Sequence, residues 1–426
     1  MKLFVHPERS RWEEILRRPV FDSLELEEVV NPILAEIKTQ GDEALKHYTE
    51  KFDGIALDSL LVTNDELEKA AQSVSKELKE AIAIAESNIR KFHEVQMLEK
   101  EVVETMPGVK CWREQRPIES VGLYIPGGTA PLFSTILMLA VPAKIAGCKN
   151  IVLATPPNKQ GEIHPAILYT ANKIGVTKII KSGGAQAIAA MAYGTESVPK
   201  VYKIFGPGNQ FVTAAKQLVS KDGVAIDMPA GPSEVAVLAD DAANPAFVAS
   251  DLLSQAEHGV DSQVILVTTS EMMAHEVKNE VLKQVATLPR KKIAKRALDN
   301  SRIIVVQDID TAIDLLNQYA AEHLILQVSE YDLLINRIVN AGSVFLGAYT
   351  PESAGDYASG TNHTLPTNGY AMAYSGVSLD SFTKKVTFQE ITKEGLAVLG
   401  PHIEKMAAEE QLEAHKNAVT LRLKRK

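Results

Sequence analysis

Residues 121–154 read VGLYIPGGTAPLFSTILMLAVPAKIAGCKNIVLA, and the succession of textures in them decides the fold. A short β-branched run, Val121–Ile125, ends at a Pro-Gly-Gly turn, a helix-length apolar segment follows, and a second β-branched run, Ile151–Ala154, closes the unit. Short apolar strands beside helix-length segments are the pattern of parallel sheets with crossover helices. The apolar stretch Ile136–Ala146 is broken by Pro142 and Lys144 and is too short to span a bilayer.

The same texture repeats in two sets. Lys178–Ile180, Val201–Phe205 and Val224–Ile226 complete the first; Glu234–Leu238, Val264–Thr268, Ile303–Val306, Leu324–Val328 and Val344–Leu346 form the second. Two sets predict an α/β protein of two domains, one inserted in the other. Residues 1–21 read as an N-terminal helical appendage. Between Leu26 and Phe92 run amphipathic helical patterns, with Val29, Ile33, Ile37 and Leu45 on the apolar face. These helices are assigned with the second set, giving one domain from 22–120 plus 234–376 and another from 121–233.

Between Ala348 and Gly376 neither period is visible. The run TPESAGDYASGTNHTLPTNGY is rich in Gly, Ser, Thr, Asn and Pro and poor in charge, and a loop of that length reads as functional. Residues 377–426 read as a tail: a short strand then helix over Phe382–Glu394, and a helix over Pro401–Val419. With no sheet of its own to complete, the tail is expected to pack against something else.

A net charge of −9 argues against nucleic acid as a partner. The basic clusters Arg290–Arg296 and Arg422–Lys426 read as solvated surface. Cys111 and Cys148 have no CxxC spacing, so neither a disulfide framework nor a thiolate zinc site follows, and a reducing cytosol is the simplest context. The first residues lack the apolar run of a signal peptide, so a soluble cytoplasmic protein with no membrane partner is expected.

Several residues could carry chemistry. Asn244 and Pro245 open a helix on whose last turn Gln255 and His258 are neighbours. Imidazole is a good zinc ligand and an amide oxygen a rarer one, although the spacing alone reads better as a capping histidine and a surface glutamine at a helix end. Glu322-His323 precedes an apolar strand, and such a pair can supply proton acceptors. Asp356 lies between Gly355 and Gly360 in the long loop, with His363 further along. In the tail Glu410 shares an apolar stripe with Ile403 and Met406; His415 lies about 140° round an ideal helix from it, so both can serve one point only if the helix ends or bends. Three strand-to-helix turns offer backbone amides to phosphate: Ile125-Pro126-Gly127-Gly128, Ser182-Gly183-Gly184-Ala185-Gln186 and Gly206-Pro207-Gly208-Asn209. Phe211 stands where a dinucleotide fingerprint has its third glycine, yet the set favours a nucleotide site with Tyr124, Gln186 and Asn209 beside it. Ser233 lies outside any GxSxG elbow and is no obvious nucleophile.

With these segments assembled, the chain resembles the histidinol dehydrogenase family. The match is carried by VGLYIPGGTAPLFST, SGGAQAIAAMAYGTESVPKV, KIFGPGNQFVTAAK, AIDMPAGPSEV, ASDLLSQAEHG, AEHLILQ, PESAGDYASGTNHTLPT and LEAHKNAVTLR. The resemblance implies two incomplete Rossmann-like domains and a homodimer with exchanged C-terminal tails. It implies one zinc per subunit on Gln255, His258, Asp356 and His415, and NAD held by Tyr124, Gln186 and Asn209. Glu322 and His323 would transfer protons, while Ser233, His323, Glu410 and the zinc ligands would contact an amino alcohol. The implied activity is two-step oxidation of L-histidinol through L-histidinal to L-histidine. A relative acting on another small alcohol is the nearer alternative. A zinc hydrolase leaves the phosphate-suited turns unexplained, and a non-enzymatic metal-binding scaffold leaves the Glu–His pair idle.

Overall fold

The structure is a computed structural model that describes residues 1–19, 23–127 and 130–424. The chain divides into two compact units: Met1–Val95 with Ile118–Phe382, and Gln96–Pro117 with Thr383–Lys426. Strands are numbered β1 to β14 along the chain.

The first unit holds two all-parallel sheets. One has the order β6-β5-β4-β7-β8, built from β4 (Ser120–Tyr124), β5 (Asn150–Thr155), β6 (Lys178–Lys181), β7 (Lys203–Phe205) and β8 (Ala225–Ile226). The other has the order β1-β11-β10-β9-β12-β13, from β1 (Lys2–Val5), β9 (Glu234–Ala239), β10 (Gln263–Thr268), β11 (Arg302–Val305), β12 (His323–Gln327) and β13 (Ser343–Leu346). Every strand run read from the sequence between Val121 and Leu346 is present, as β4 to β13. The central strands β4, β9, β10 and β12 are buried along their whole length, which is why their sequences do not alternate. The helix Phe133–Ala146 is apolar on every side because it too is buried, from Ser134 to Ala143.

Both sheets reverse direction beside their first central strand. From β4 the chain adds β5 and β6 on one side and then β7 and β8 on the other; from β9 it adds β10 and β11, then β12 and β13. The reversals open a crevice between β4 and β7 and another between β9 and β12.

Four features differ from the sequence-based expectations. The N-terminus is not a helical appendage: β1 pairs in parallel with β11, and Trp12, Ile15 and Leu16 are core residues. Four residues are too few for a period to declare itself, so only the pairing reveals the strand. The helices before residue 95 cover the five-stranded sheet rather than the six-stranded one. Ser23–Gln40 packs on the helices Gly184–Tyr193 and Gln210–Lys221, Asn64–Ser73 on Pro165–Ile174, and Lys76–Glu94 on Phe133–Ala146. An amphipathic pattern declares that a helix has an apolar face, not which sheet receives it. Within 348–376 a short helix, Glu352–Tyr357, breaks the expected loop.

The fourth difference is in the second unit, where the tail does have a sheet. Strand β14 (Thr383–Ile391) pairs antiparallel with β3 (Val109–Pro117) from Thr383–Pro117 to Ile391–Val109, and β2 (Val102–Met106) flanks β3 on the other side. Trp112 stacks on Phe388 at 5.4 Å across β3 and β14. The terminal helix is two, Lys393–Glu409 and Glu413–Leu423, packed against each other. The break follows Glu410, where Gln411 has φ 59°.

Trp12 tests the N-terminal correction. Its ring is buried and its indole N–H donates to the Pro7 carbonyl at 3.3 Å. Trp12→Ala is expected to cost about 3–5 kcal/mol in urea unfolding; an appendage would give a change within about 0.5 kcal/mol.

Candidate active site

A crossover helix runs antiparallel to its strands and ends at their amino edge. The helix Pro245–Ala256 leaves β9 with Asn244 as its cap, the Asn244 side chain accepting from the Ala246 N–H at 2.9 Å. Its last turn therefore delivers Gln255 to the amino ends of β9 and β12, where Glu234, Glu322 and His323 stand. The Gln255 Nε2 amide lies 3.2 Å from the Glu234 carbonyl, 3.2 Å from Glu322 Oε2 and 3.2 Å from His323 Nδ1. Glu322 Oε2 also accepts from the Glu234 N–H at 2.9 Å. On the other side of the imidazole, Asp356 Oδ1 faces His323 Nε2 at 3.5 Å, an ion-pair distance rather than a hydrogen bond. Asp356 and Glu352 sit four apart on the helix Glu352–Tyr357, hence on one face. His323, Glu352 and Asp356 bring ligand atoms within 4.8 Å of one another.

The charges in this cluster are unbalanced. Burial pushes Glu322 up to about 8, with Glu234 and Asp356 adding repulsion and His323 and the Glu234 N–H opposing it. Burial would lower His323, but the carboxylates of Glu352, Glu322 and Asp356 raise it to about 10. Glu352 lies well above the carboxylate range, chiefly because it is fully buried. Asp356 goes the other way: burial resists ionisation, but the rings of His323, His363 and His258 hold it down. His258 follows the helix at the mouth of the cluster. Desolvation lowers its pKa, while the Asp356 carboxylate raises it and the other histidines oppose that.

Several buried atoms here have no hydrogen-bond partner: Gln255 Oε1, His323 Nε2 and both Glu352 oxygens. Unpaired buried acceptors are costly, and a set converging on one place fits a cation. The Gln255 amide cannot turn to relieve its oxygen, because its nitrogen is held by the Glu234 carbonyl and the Glu322 carboxylate. His323, Glu352 and Asp356, whose ligand atoms lie together, fit a metal as donors, and of the expected ligands Asp356 is in that group while the Gln255 oxygen is free to join it. Glu352 was missed by the sequence reading, although its spacing from Asp356 is the signal that could have found it. The remaining expected ligand, His415, and Glu410 belong to the second unit, both exposed and on either side of the helix break. Ser233 directly precedes β9, its carbonyl accepting from the Gln263 N–H at 3.2 Å. His363 is a loop fastener, with Nδ1 2.8 Å from the Asp356 carbonyl and Nε2 3.0 Å from Thr135 Oγ1.

The five-stranded sheet uses its opposite edge. A cavity of about 1140 Å³ opens beyond the carboxyl ends of its strands, lined among others by Tyr124, Gly127, Gly184, Gln186, Asn209 and Phe211. Tyr124, Gln186 and Asn209, expected together from the turns, do share it. Asn209 caps the helix Gln210–Lys221 by accepting from the N–H groups of Phe211 and Val212, each at 3.1 Å. The Gly184 N–H donates to the Tyr124 hydroxyl at 3.0 Å, and burial pushes that phenol up to about 12. Gln186 Nε2 is buried without a partner. Gly206 has φ 120°, and a Cβ there would lie 2.1 Å from the Tyr124 carbonyl oxygen, so the backbones meet only because that residue is glycine. Two helix N-termini facing a cavity beside glycine turns, with a free amide donor, fit a dinucleotide phosphate. Gly128 of the first turn lies outside the described residues.

Fold and site together define an α/β protein with a dinucleotide-type cavity on one sheet and a buried Glu–His–carboxylate cluster on the other. The histidinol dehydrogenase family profile matches residues 16–423. A histidinol dehydrogenase of Bacteroides thetaiotaomicron is 63% identical over 99% of this chain and 99% of its own, and one of Escherichia coli K12 is 55% identical over 96% and 94%. The crystal structure of histidinol dehydrogenase from Elizabethkingia anophelis superposes with a TM-score of 0.97 at 57% identity, covering 99% of this chain and 98% of that one. The chain belongs to the histidinol dehydrogenase family.

Proposed function

We propose that the chain carries out the reaction of its family, the dehydrogenation of L-histidinol, in two NAD-dependent steps through L-histidinal to L-histidine, the last step of histidine biosynthesis. The observation that carries this reading is the buried Glu322–His323 pair, tied to Gln255 and facing Asp356, in a chain of this family. His323 removes the hydroxyl proton of the alcohol. Glu322, whose carboxyl burial raises to about 8, removes a proton from the water that adds to the aldehyde when it is ionised, the form that prevails above that value. Enclosure keeps that aldehyde from escaping between steps. The glycine-lined cavity and its unpaired Gln186 amide favour a dehydrogenase over a hydrolase built on the same cluster.

Zinc would be held by Gln255, His258, Asp356 and His415 of the partner subunit, and would supply positive charge that favours binding of the amino alcohol and offsets the carboxylate field on His323. NAD would be held by Tyr124, Gln186 and Asn209 and supplies the hydride acceptor for each step. Ser233 and Glu410 of the partner subunit would complete the substrate contacts. The zinc and substrate region is then the six-stranded sheet with residues 348–376, and the NAD region is the sheet of residues 121–233, inserted between β1 and β9. A homodimer with exchanged tails is supported by the tail's own surface, which leaves Val398, Met406, Leu412 and Leu421 exposed. A cytoplasmic location agrees with both cysteines being free and with no helix among the described residues being long and apolar enough to cross a membrane.

His258→Ala is expected to lose bound zinc, measured by atomic absorption, together with activity, while far-ultraviolet circular dichroism stays native. The apolar cores of the sheets do not depend on a metal for burial, unlike a zinc finger. Full zinc with normal turnover would remove this histidine from the site.

Glu322→Gln and His323→Ala should separate the half-reactions. Water is needed only after the first oxidation, so Glu322→Gln slows aldehyde oxidation more than alcohol oxidation, whereas His323→Ala slows both, by roughly 10²–10⁴-fold. NADH absorbance with histidinol and with histidinal supplied directly gives the comparison. Equal damage to both steps by Glu322→Gln contradicts the assignment.

Exchanged tails make a stronger prediction. His258→Ala and His415→Ala subunits are each inactive alone, since every site lacks one ligand. In a refolded mixture with random pairing, one site of each mixed dimer collects both lesions and the other is intact, giving about a quarter of native activity. Verified heterodimers with no activity would rule out the exchange.

A further inference from the structure

We infer that Arg18 is a positioning residue for the Glu322–His323 pair, acting through Glu234; this rests on the reading of Glu322 as the base of aldehyde oxidation. Glu234 faces two ways. Its main chain holds the pair: its N–H donates to Glu322 Oε2 at 2.9 Å, and its carbonyl accepts from Gln255 Nε2 at 3.2 Å and lies 3.3 Å from His323 Nδ1. Its carboxylate is held in turn by Arg18, with Nε at 2.5 Å and Nη2 at 3.0 Å, and by the Asn368 N–H at 2.8 Å. Both side chains of this ion pair are largely buried, 15% and 3% exposed.

Arg18 reaches a second segment as well. Its Nη2 donates to the Tyr319 carbonyl at 2.5 Å, and its guanidinium lies 4.1 Å over the Tyr319 ring. Tyr319 ends the helix Ile309–Tyr319, and the chain passes from it through Ala320 and Ala321 directly into Glu322. One guanidinium thus fixes the residue that donates to the Glu322 carboxylate and the turn that delivers it. Only a planar fork can hold a carboxylate through two nitrogens, donate to a carbonyl and lie over a ring at once; a lysine ammonium keeps the charge and loses that geometry. The hydrogen bonds of Arg18 go to Glu234 and the Tyr319 carbonyl, so its effect passes through the position of Glu234 and the turn.

The test is a double-mutant cycle on the zinc-loaded enzyme, with L-histidinal and NAD saturating and NADH absorbance as the signal. Arg18→Lys is expected to lower kcat for aldehyde oxidation ~10–100-fold, the scale set by a displaced catalytic group, with a much smaller change in KM. In the Glu322→Gln background the same substitution should cost clearly less, because one of the two groups it positions has gone and only the effect through His323 is left. Glu234→Gln keeps the main chain and removes the ion pair, and should repeat the pattern if Arg18→Lys folds poorly. A loss that multiplies undiminished through the Glu322→Gln background, or unchanged kcat in both single variants, overturns the inference while leaving Glu322 as the base. Native kcat in Glu322→Gln alone overturns both.

Discussion

The register of β12 against β9 is the constraint on which the site depends. His323 pairs with Val235, so the residues just before them, Glu322 and Glu234, meet at the amino edge of the sheet. A carboxylate buried there without donors would cost several kcal/mol; Glu322 has the Glu234 N–H and the Gln255 amide, and the latter arrives only because the helix after β9 is long enough to return to that edge. Shifting β12 by one residue would turn Glu322 to the other face of the sheet and break both contacts. Strand pairing, helix length and the ionisation of the pair are therefore one problem with one solution.

The parts of this arrangement that are local were legible in the sequence. Each buried strand from β4 to β13 carries its own apolar run, and Asn244 and Pro245 mark a helix start without reference to anything distant. Gln255 and His258, Glu322-His323 and Asp356 were visible as residue types at suggestive spacings, but spacing alone left the bland reading of each open; convergence is a property of the sheet, not of any segment. The unread parts are non-local. β1 is four residues whose identity as a strand exists only in its pairing with β11. β14 exposes most of its residues and β3 buries almost none fully, and the two define each other by antiparallel pairing of segments 266 apart in sequence, from Pro117 to Thr383. Arg18 and Glu234 are 216 apart in sequence and carry no motif. Glu352 was hidden for another reason: six helical residues inside a glycine-rich run do not declare a period.

Stability and chemistry pull in different directions around His323. A core that contained only satisfied groups would not keep Glu352 with both oxygens unpaired, or Gln255 with its oxygen turned to nothing. Such groups are destabilising unless something positive arrives, so the cluster is arranged for a bound state that the chain's own side chains do not complete. The surrounding scaffold meets that cost with fully satisfied networks: the Tyr319 hydroxyl donates to Gln263 Oε1, whose amide nitrogen in turn donates to the Arg17 and Asn300 carbonyls.

The two sheets then differ in which end of a helix they present. In the five-stranded sheet the helices Gly184–Tyr193 and Gln210–Lys221 begin at the cavity and turn the positive pole of the helix toward it, as phosphate requires. In the six-stranded sheet the helix Pro245–Ala256 ends at the cluster, bringing carbonyl groups and the negative pole, which favours a cation. The alternation of strand and helix is the same in both. Placing function at the carboxyl edge of one sheet and the amino edge of the other gives one chain an anion-suited cavity and a cation-suited cluster from a single repeating architecture, and the side chains at each edge match the pole they find there.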